Sequence, residues 1–204
     1  MKGFQETMAM TQDQIVKELQ DAGALLTGHF KLRSGKHSNR FFQCALVFED
    51  PARGERLCTE LARRMTEQGI KADTVISPAV GGLFVGQEIA RALKLKSIFA
   101  DKVNDELVLK RGFAIRPGER VIVAEDVVTE GGRVRQTIEL VRKLGGTPVA
   151  VAIITDRSGG KADFGLPLFS LLQLNLPTYP PEECPLCHDN IPLTTPGSGT
   201  GSKA

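Results

Sequence analysis

Apolar positions along the chain recur with two different periods, and the switches between them mark its elements. In MTQDQIVKELQDAGALL, Ile15, Leu19 and Ala22 share one face, the spacing of an amphipathic helix, and Thr11 supplies an oxygen suited to cap its start. HFKLRSGKHSNRFFQCALVF alternates around a Ser-Gly turn, which predicts two short strands or a strand and a loop. PARGERLCTELARRMTEQG predicts a helix that starts near Pro51 and stops at Gly69. ADTVISPAVGGLFVGQEIARALK reads as a strand, a Pro/Gly loop and a helix, and KSIFADKV as a second buried strand. DELVLKRGFAIRPGER has the character of a hairpin or arm, with turn chemistry at Arg116-Pro117-Gly118. VIVAEDVVTEGGRVRQTIELVRKLG is a further strand-loop-helix unit, and TPVAVAIITDRS a fourth strand.

Strands that alternate with helices predict right-handed crossovers and an α/β fold, with a mainly parallel twisted sheet flanked by helices. Ligands of such sheets bind outside the carboxyl ends of the strands. The polar punctuation of this chain falls there, at Ser77–Gly82, Ala100–Lys102, Glu125–Arg133 and Thr155–Arg157. No internal repeat is visible. After Cys187 the sequence thins into TTPGSGTGSKA, so a single domain over 1–190 with a flexible tail over 191–204 is expected.

Composition narrows the class. The chain has 204 residues, 41% hydrophobic content and a net charge of +2, which suits one domain with a full core. Nothing marks the surface as seeking nucleic acid or membrane, and the apolar runs are too short to span a bilayer. The segment MKGFQETMAMTQDQ lacks the apolar centre of a signal peptide, so a cytoplasmic location is expected. Of four cysteines, Cys44 and Cys58 stand alone, and Cys184 and Cys187 form a Cys-x-x-Cys. Reduced thiols with a structural or incidental role are the expectation. The alternative is a zinc site of which this pair supplies half, completed by His188 or shared between subunits.

The loop Thr129–Arg133 follows a strand and opens a helix whose apolar face includes Ile138, Val141 and Leu144. Backbone N–H groups at such a helix start, with glycines that permit close approach, form a phosphate cradle. The sequence is neither a P-loop nor a dinucleotide fingerprint, and a tight turn with incidental glycines is the bland alternative. Glu125 and Asp126 shift the balance. Two adjacent carboxylates that end a buried strand are costly unless they bind something. They are acceptors for vicinal hydroxyls. Acids beside a phosphate cradle describe a ribose 5-phosphate site.

VIVAEDVVTEGG resembles the phosphoribosyl-pyrophosphate signature of type I phosphoribosyltransferases, and from about His29 to Cys187 the chain resembles the orotate phosphoribosyltransferase branch. HFKLRSGKHSNRFF, ISPAVGGLFVGQEIARAL, TDRS and YPPEECPLC carry the rest of that likeness. The resemblance implies the type I phosphoribosyltransferase fold with a small N-terminal hood over about 1–50. It implies transfer of the phosphoribosyl group from phosphoribosyl pyrophosphate to orotate, in UMP biosynthesis. Phosphoribosyl pyrophosphate is then held by Glu125, Asp126, Val127, Val128, Thr129, Glu130, Gly131, Gly132 and Arg133, with Lys102 and the loop Ala79, Val80 and Gly81. Lys102 and Asp126 are the implied catalytic residues.

Orotate is assigned to Thr129, Arg157, Phe41 and Phe42. The planar guanidinium of Arg157 suits a carboxylate; a surface ion pair with Asp156 or Asp163 is its alternative, and core packing that of the two phenylalanines. Mg²⁺ is the implied cofactor, carried on the phosphates with no direct side-chain ligand and at most Asp126 through water. Lys110 and Arg111 lie in an arm suited to close over the site, or are ordinary solvated charges. The family implies a homodimer with shared active sites.

The chain departs from the pattern at Glu130, where a small residue is usual, and at Arg133, where Ser or Thr is usual. A carboxylate about 8 Å from a phosphate charge costs roughly 2 kcal/mol at an effective dielectric of about 20. The loop after Pro78 carries Val80-Gly81 where some relatives place a lysine. DKVNDELVLKRGF lacks the usual catalytic arm, with Asp101 where other branches have arginine. The competing readings are a purine phosphoribosyltransferase, which needs neither SGKHSNRFF nor Arg157, and a phosphoribosyl-pyrophosphate-sensing regulator, which calls for a basic face or added nucleic-acid module that this chain does not display.

Overall fold

The computed structural model describes residues 9–32 and 34–196. The chain opens with α1 (Gln12–Asp21), where Thr11 and Gln14 cap each other's backbone N–H groups and Ile15 and Leu19 are buried. This helix is shorter than the apolar pattern predicts. Gly23 takes φ +66°, which ends the helical path, and Leu25 and Leu26 begin β1 (Leu25–Lys31) instead. The alternating segment forms two strands. β2 (His37–Phe42) runs antiparallel to β1, closed by the Leu32 amide donating to the Lys36 carbonyl and the Gly35 amide to the Leu32 carbonyl. A 3₁₀ turn over Cys44–Glu49 leads into α2 (Pro51–Glu67), which Asp50 caps.

Then come β3 (Thr74–Pro78), α3 (Gly82–Leu93), β4 (Lys96–Val103) and β5 (Glu106–Leu109), followed by β6 (Arg120–Val128), α4 (Gly132–Lys143), β7 (Thr147–Asp156) and β8 (Leu168–Gln173). The chain ends in short pieces: β9 (Thr178–Tyr179), the single turn α5 (Pro185–His188) and β10 (Leu193–Thr194).

The main sheet has the order β5-β4-β3-β6-β7-β8, parallel except for β5 at its edge. β3 is buried along its whole length, as are residues 121–125 of β6 and 150–156 of β7, the mark of strands covered on both faces. One core layer gathers Ile15 and Leu19 of α1, Leu57 and Leu61 of α2, and Val85 and Ile89 of α3. The opposite layer gathers Val134, Ile138 and Val141 of α4. β4 differs from the continuous buried strand that KSIFADKV suggests: only Ile98 and Ala100 are buried, because its outer neighbour is the four-residue β5. β4 and β5 meet in a two-residue turn at Asn104-Asp105, both at positive φ. The Arg116–Glu119 turn is present. β8 went unassigned in the sequence because FGLPLFSLLQL offers no clean period.

A second sheet, β10-β1-β2-β9, forms a small hood. Both of its edges come from the C-terminal segment: Leu193 and Thr194 pair in parallel with His29 and Phe30, and Thr178 and Tyr179 pair with Ser38 and His37. The hood is therefore not made from the N-terminal region alone. Residues 193 and 194, in the stretch expected to be a structureless tail, are part of this sheet; the remainder of that stretch from 197 lies outside the described residues.

Candidate active site

The strand order places the site. β3 pairs with β6 only as far as Ile76 and Val123, and then pairs with β4 through Pro78. β6 continues alongside β7 to Val128. Successive crossovers leave β3 and β6 in opposite directions, and α3 and α4 cover opposite faces. A crevice opens where the two strands part, the topological switch point of an open α/β sheet. Glu125 and Asp126 lie at its floor, and a cleft of about 370 Å³ is lined by residues 125–134.

Glu125 is only 3% exposed, and its Oε2 is buried without a hydrogen-bond partner. Oε1 accepts from the Asp126 amide at 3.1 Å. Burial above all, and then the charge of Asp126, raise the Glu125 carboxyl to about 8. Asp126 is half-buried, and its Oδ1 accepts from the Val127 amide at 2.8 Å. The loop after β3 presses against both acids, which is why it is glycine-rich. A Cβ on Gly81 would lie 2.9 Å from Asp126 Oδ2, and one on Gly82 would lie 3.0 Å from Glu125 Oε1. One helical turn further, a Cβ on Gly86 would lie 2.7 Å from Ser77 Oγ, so this glycine sets how closely α3 lies on β3.

Gly131 precedes α4 with φ +77°, a conformation that side chains resist, and a Cβ there would lie 2.7 Å from the Phe164 ring. Thr129, Glu130, Gly132 and Arg133 are exposed around it, Val127 is half-buried and Val128 is core. Arg133 Nη1 donates to the Ala79 carbonyl at 3.5 Å and so bridges the two loops that flank the crevice. Ala79 and Val80 are joined by a cis peptide, and Val80 is 70% exposed.

Arg157 follows β7, and its amide donates to the Val128 carbonyl at 2.7 Å, which sets it beside the start of the cradle. Its side chain is half-buried, and its Nε is buried with no partner. Neither Asp156 nor Asp163 pairs with it: Asp156 Oδ1 accepts from the Ser158 amide, and Asp163 Oδ1 from the Gly165 amide. Burial alone lowers the Arg157 pKa. A cation desolvated without a counter-ion at a cleft is a site for an anion. Thr155, which opens the polar stretch Thr155–Arg157 after the run VAVAII, also has a buried, unpartnered hydroxyl; the sequence marked its place but gave it no role.

The other expected residues divide. Lys102 lies beyond the last β3–β4 pair and forms an exposed ion pair with Asp105 at 2.6 Å. Arg111 pairs with Asp101 at 3.2 Å and lies over the Phe99 ring, so a guanidinium reaches the neighbourhood of position 101 from the arm. Lys110 is exposed. Phe41 is half-buried against Phe30. Phe42 is core, so its ring is not a wall for a ligand, and only its backbone remains available. Cys44, at the start of the 3₁₀ turn that follows Phe42, is buried, and burial, and next the charge of Asp126, raise its thiol.

Residues 48–164 match the phosphoribosyl transferase domain family. The chain is 51% identical over 175 residues to the orotate phosphoribosyltransferase of Carboxydothermus hydrogenoformans, covering 86% of this chain and 92% of that one. With the orotate phosphoribosyltransferase of Thermotoga maritima it shares 50% over 185 residues, covering 90% and 98%. The chain belongs to the orotate phosphoribosyltransferase family. The crystal structure of orotate phosphoribosyltransferase from Aeropyrum pernix matches the fold with a TM-score of 0.63 at 26% identity, over 78% of this chain and 93% of that one. The mainly parallel sheet with flanking helices and a hood is thus the type I phosphoribosyltransferase fold that the signature implied.

Two predictions follow from the geometry of this family site. A ligand whose hydroxyls need an ionised Glu125 must displace the proton that burial holds there. Affinity for phosphoribosyl pyrophosphate should therefore rise with pH up to about 8 and then level off. Calorimetry at pH 7 in buffers of different ionisation enthalpy should detect proton release that is smaller in Glu125→Gln; equal release in both proteins would exclude Glu125 as its source. Gly131→Val, checked for folding by circular dichroism, should lose phosphoribosyl pyrophosphate binding, because the branched side chain is strained at this φ and collides with Phe164. Normal binding by the folded variant would place the cradle elsewhere.

Proposed function

We propose that this cleft transfers the 5-phosphoribosyl group of phosphoribosyl pyrophosphate to N1 of orotate, giving orotidine 5′-phosphate and pyrophosphate in pyrimidine synthesis. The observation that carries the reading is Arg157, an unpaired, half-buried guanidinium beside a phosphate cradle and an acidic pair. Orotate carries the planar carboxylate that fits it. A purine base has no such group.

In this arrangement the amides of residues 129–133 hold the 5-phosphate. Glu125 and Asp126 accept hydrogen bonds from the two ribose hydroxyls, which gives Glu125 Oε2 the partner it lacks. The loop at Ala79, Val80 and Gly81 faces the pyrophosphate. Orotate N1 forms a bond to C1 as the C1–O bond breaks; the electron pair leaves on pyrophosphate, and the proton of N1 passes to the departing pyrophosphate or to water. Lys102 and Arg111 reach the side where that charge develops. The acidic floor and the cleft open to water fit Mg²⁺ brought with the substrate, which Asp126 would hold through water. When bound, Mg²⁺ neutralises charge on the leaving group.

The chain acts as a homodimer with shared sites: Val80 and Phe84, 70% and 58% exposed beside the crevice, support a second subunit over that rim. It acts in the cytoplasm, and no helix among the described residues is long and apolar enough to cross a membrane.

The deciding assay follows orotate absorbance with phosphoribosyl pyrophosphate and Mg²⁺, beside adenine, hypoxanthine and uracil. Orotate should be consumed only when both are present; turnover of a purine with none of orotate would overturn the reading. Arg157→Ala should weaken orotate binding by about 2–5 kcal/mol, because the carboxylate is then held without a partner. Arg157→Lys should not restore it, since an ammonium lacks the bidentate fork. Calorimetry should show phosphoribosyl pyrophosphate affinity nearly unchanged in both variants, and the reverse pattern would move Arg157 to the sugar site.

A further inference from the structure

The thiols of Cys184 and Cys187 do not stand alone at the end of the chain. They meet the rings of His29 on β1 and His37 on β2, and one ligand atom from each of the four residues lies within 4.8 Å of every other. Nothing in the proposed reaction uses this cluster, which belongs to the hood and not to the crevice. His188 is not a member; the histidines come from the other end of the sequence.

We propose that these residues form a Cys₂His₂ zinc site within a single chain, which fastens the C-terminal segment to both strands of the hood. The distances carry the geometry. A tetrahedral Zn²⁺ with Zn–N of about 2.0–2.1 Å and Zn–S of about 2.3 Å sets edges of about 3.3 Å between nitrogens and about 3.6 Å between nitrogen and sulfur. His29 Nε2 and His37 Nδ1 are 3.0 Å apart. Cys184 Sγ is 3.6 Å from His29 Nε2, and Cys187 Sγ is 3.8 Å from the same atom and 3.3 Å from His37 Nδ1. The four atoms sit at the corners of a polyhedron of the size that one zinc ion fills.

The surroundings prepare the ligands. His29 Nδ1 lies 2.8 Å from the Ile191 carbonyl, which only accepts, so the proton of the neutral ring is on Nδ1. The lone pair of Nε2 then points into the cluster, the outer bond typical of a metal-bound histidine. His29, His37 and Cys184 are 2%, 5% and 0% exposed. Two thiolates cancel the charge of Zn²⁺, so the filled site is neutral where burial is deep. Two sulfurs and two imidazoles in a tetrahedron select zinc over harder cations.

The topology explains what the metal does. The outer strands of the hood are two residues each, and short strands of that kind hold little by hydrogen bonds alone. The ligands span 155 positions between His29 and Cys184. A metal there joins β1 and β2 to the segment between β9 and β10 and fixes both edges of the sheet at once.

The test uses the full chain, purified under reducing conditions and analysed for metal by inductively coupled plasma mass spectrometry. One zinc per chain is expected in the wild type and in Cys58→Ser, and loss of it in Cys187→Ser and His37→Gln. Cobalt exchanged into the wild type should show tetrahedral d–d bands and a thiolate charge-transfer band, measured on a protein that needs no substitution. Removal of zinc by a zinc-selective chelator, with Mg²⁺ kept in excess, should lower the thermal midpoint while leaving phosphoribosyl pyrophosphate binding in place, which separates this site from the catalytic reading. Wild-type protein that takes up neither zinc nor cobalt after reduction, or that holds a Cys184–Cys187 disulfide or retains zinc fully in Cys187→Ser, would overturn the proposal.

Discussion

A carboxylate that the fold buries and leaves unsatisfied governs the rest of this molecule. Glu125 ends the apolar run of β6 at the point where β3 turns away, and no protein donor reaches its Oε2. An orphaned buried acceptor of this kind costs about 1–3 kcal/mol. The surrounding elements have made room for it. Gly81 and Gly82 bring the β3–α3 loop onto the two acids, and Gly86 lets the helix behind that loop lie close on Ser77. Polar satisfaction, the usual rule for a core, is suspended at Glu125 Oε2, where the proposed ligand's hydroxyls complete it.

A second unsatisfied group of opposite sign stands one strand away. Arg157 keeps its Nε buried without an acceptor, although Asp156 is its direct neighbour. Asp156 instead holds the Ser158 amide and so shapes the turn from which Arg157 projects. Glu125 lines the cleft with residues 126–134, and Arg157 is tied to its edge through its amide on the Val128 carbonyl. Arg133 lies across to Ala79 and ties the two loops together.

The hood is the part of the fold with least core of its own. Its centre is a hairpin, and its edges are borrowed from residues close to the C-terminus. Bringing those edges back requires a tie that a few backbone bonds do not supply, and the sulfur and nitrogen atoms of four residues converge at that seam. The same hairpin leads through Phe42 to the buried Cys44, whose thiol is raised by burial and then by the charge of Asp126.

The sequence by itself determined the features that neighbours along the chain create. The helix starts at Thr11 and Asp50, the buried runs of β3, β6 and β7, and the order of acids, threonine and glycines after β6 all depend on contiguous residues. Their spacing carries the physics, and the family likeness rests on them. Only the tertiary structure decided what depends on residues far apart. Two-residue strands have no period to read, so β9, β10 and the shared hood were invisible. Gly23 ended α1 early because one positive φ outweighed an apolar pattern that ran on. Whether Arg157 had a counter-ion, whether Phe42 faced a ligand or the core, and which residues completed Cys184 and Cys187 were questions of packing. Each was settled by side chains up to 158 positions away, brought together by burial of the two core layers and not by any local preference.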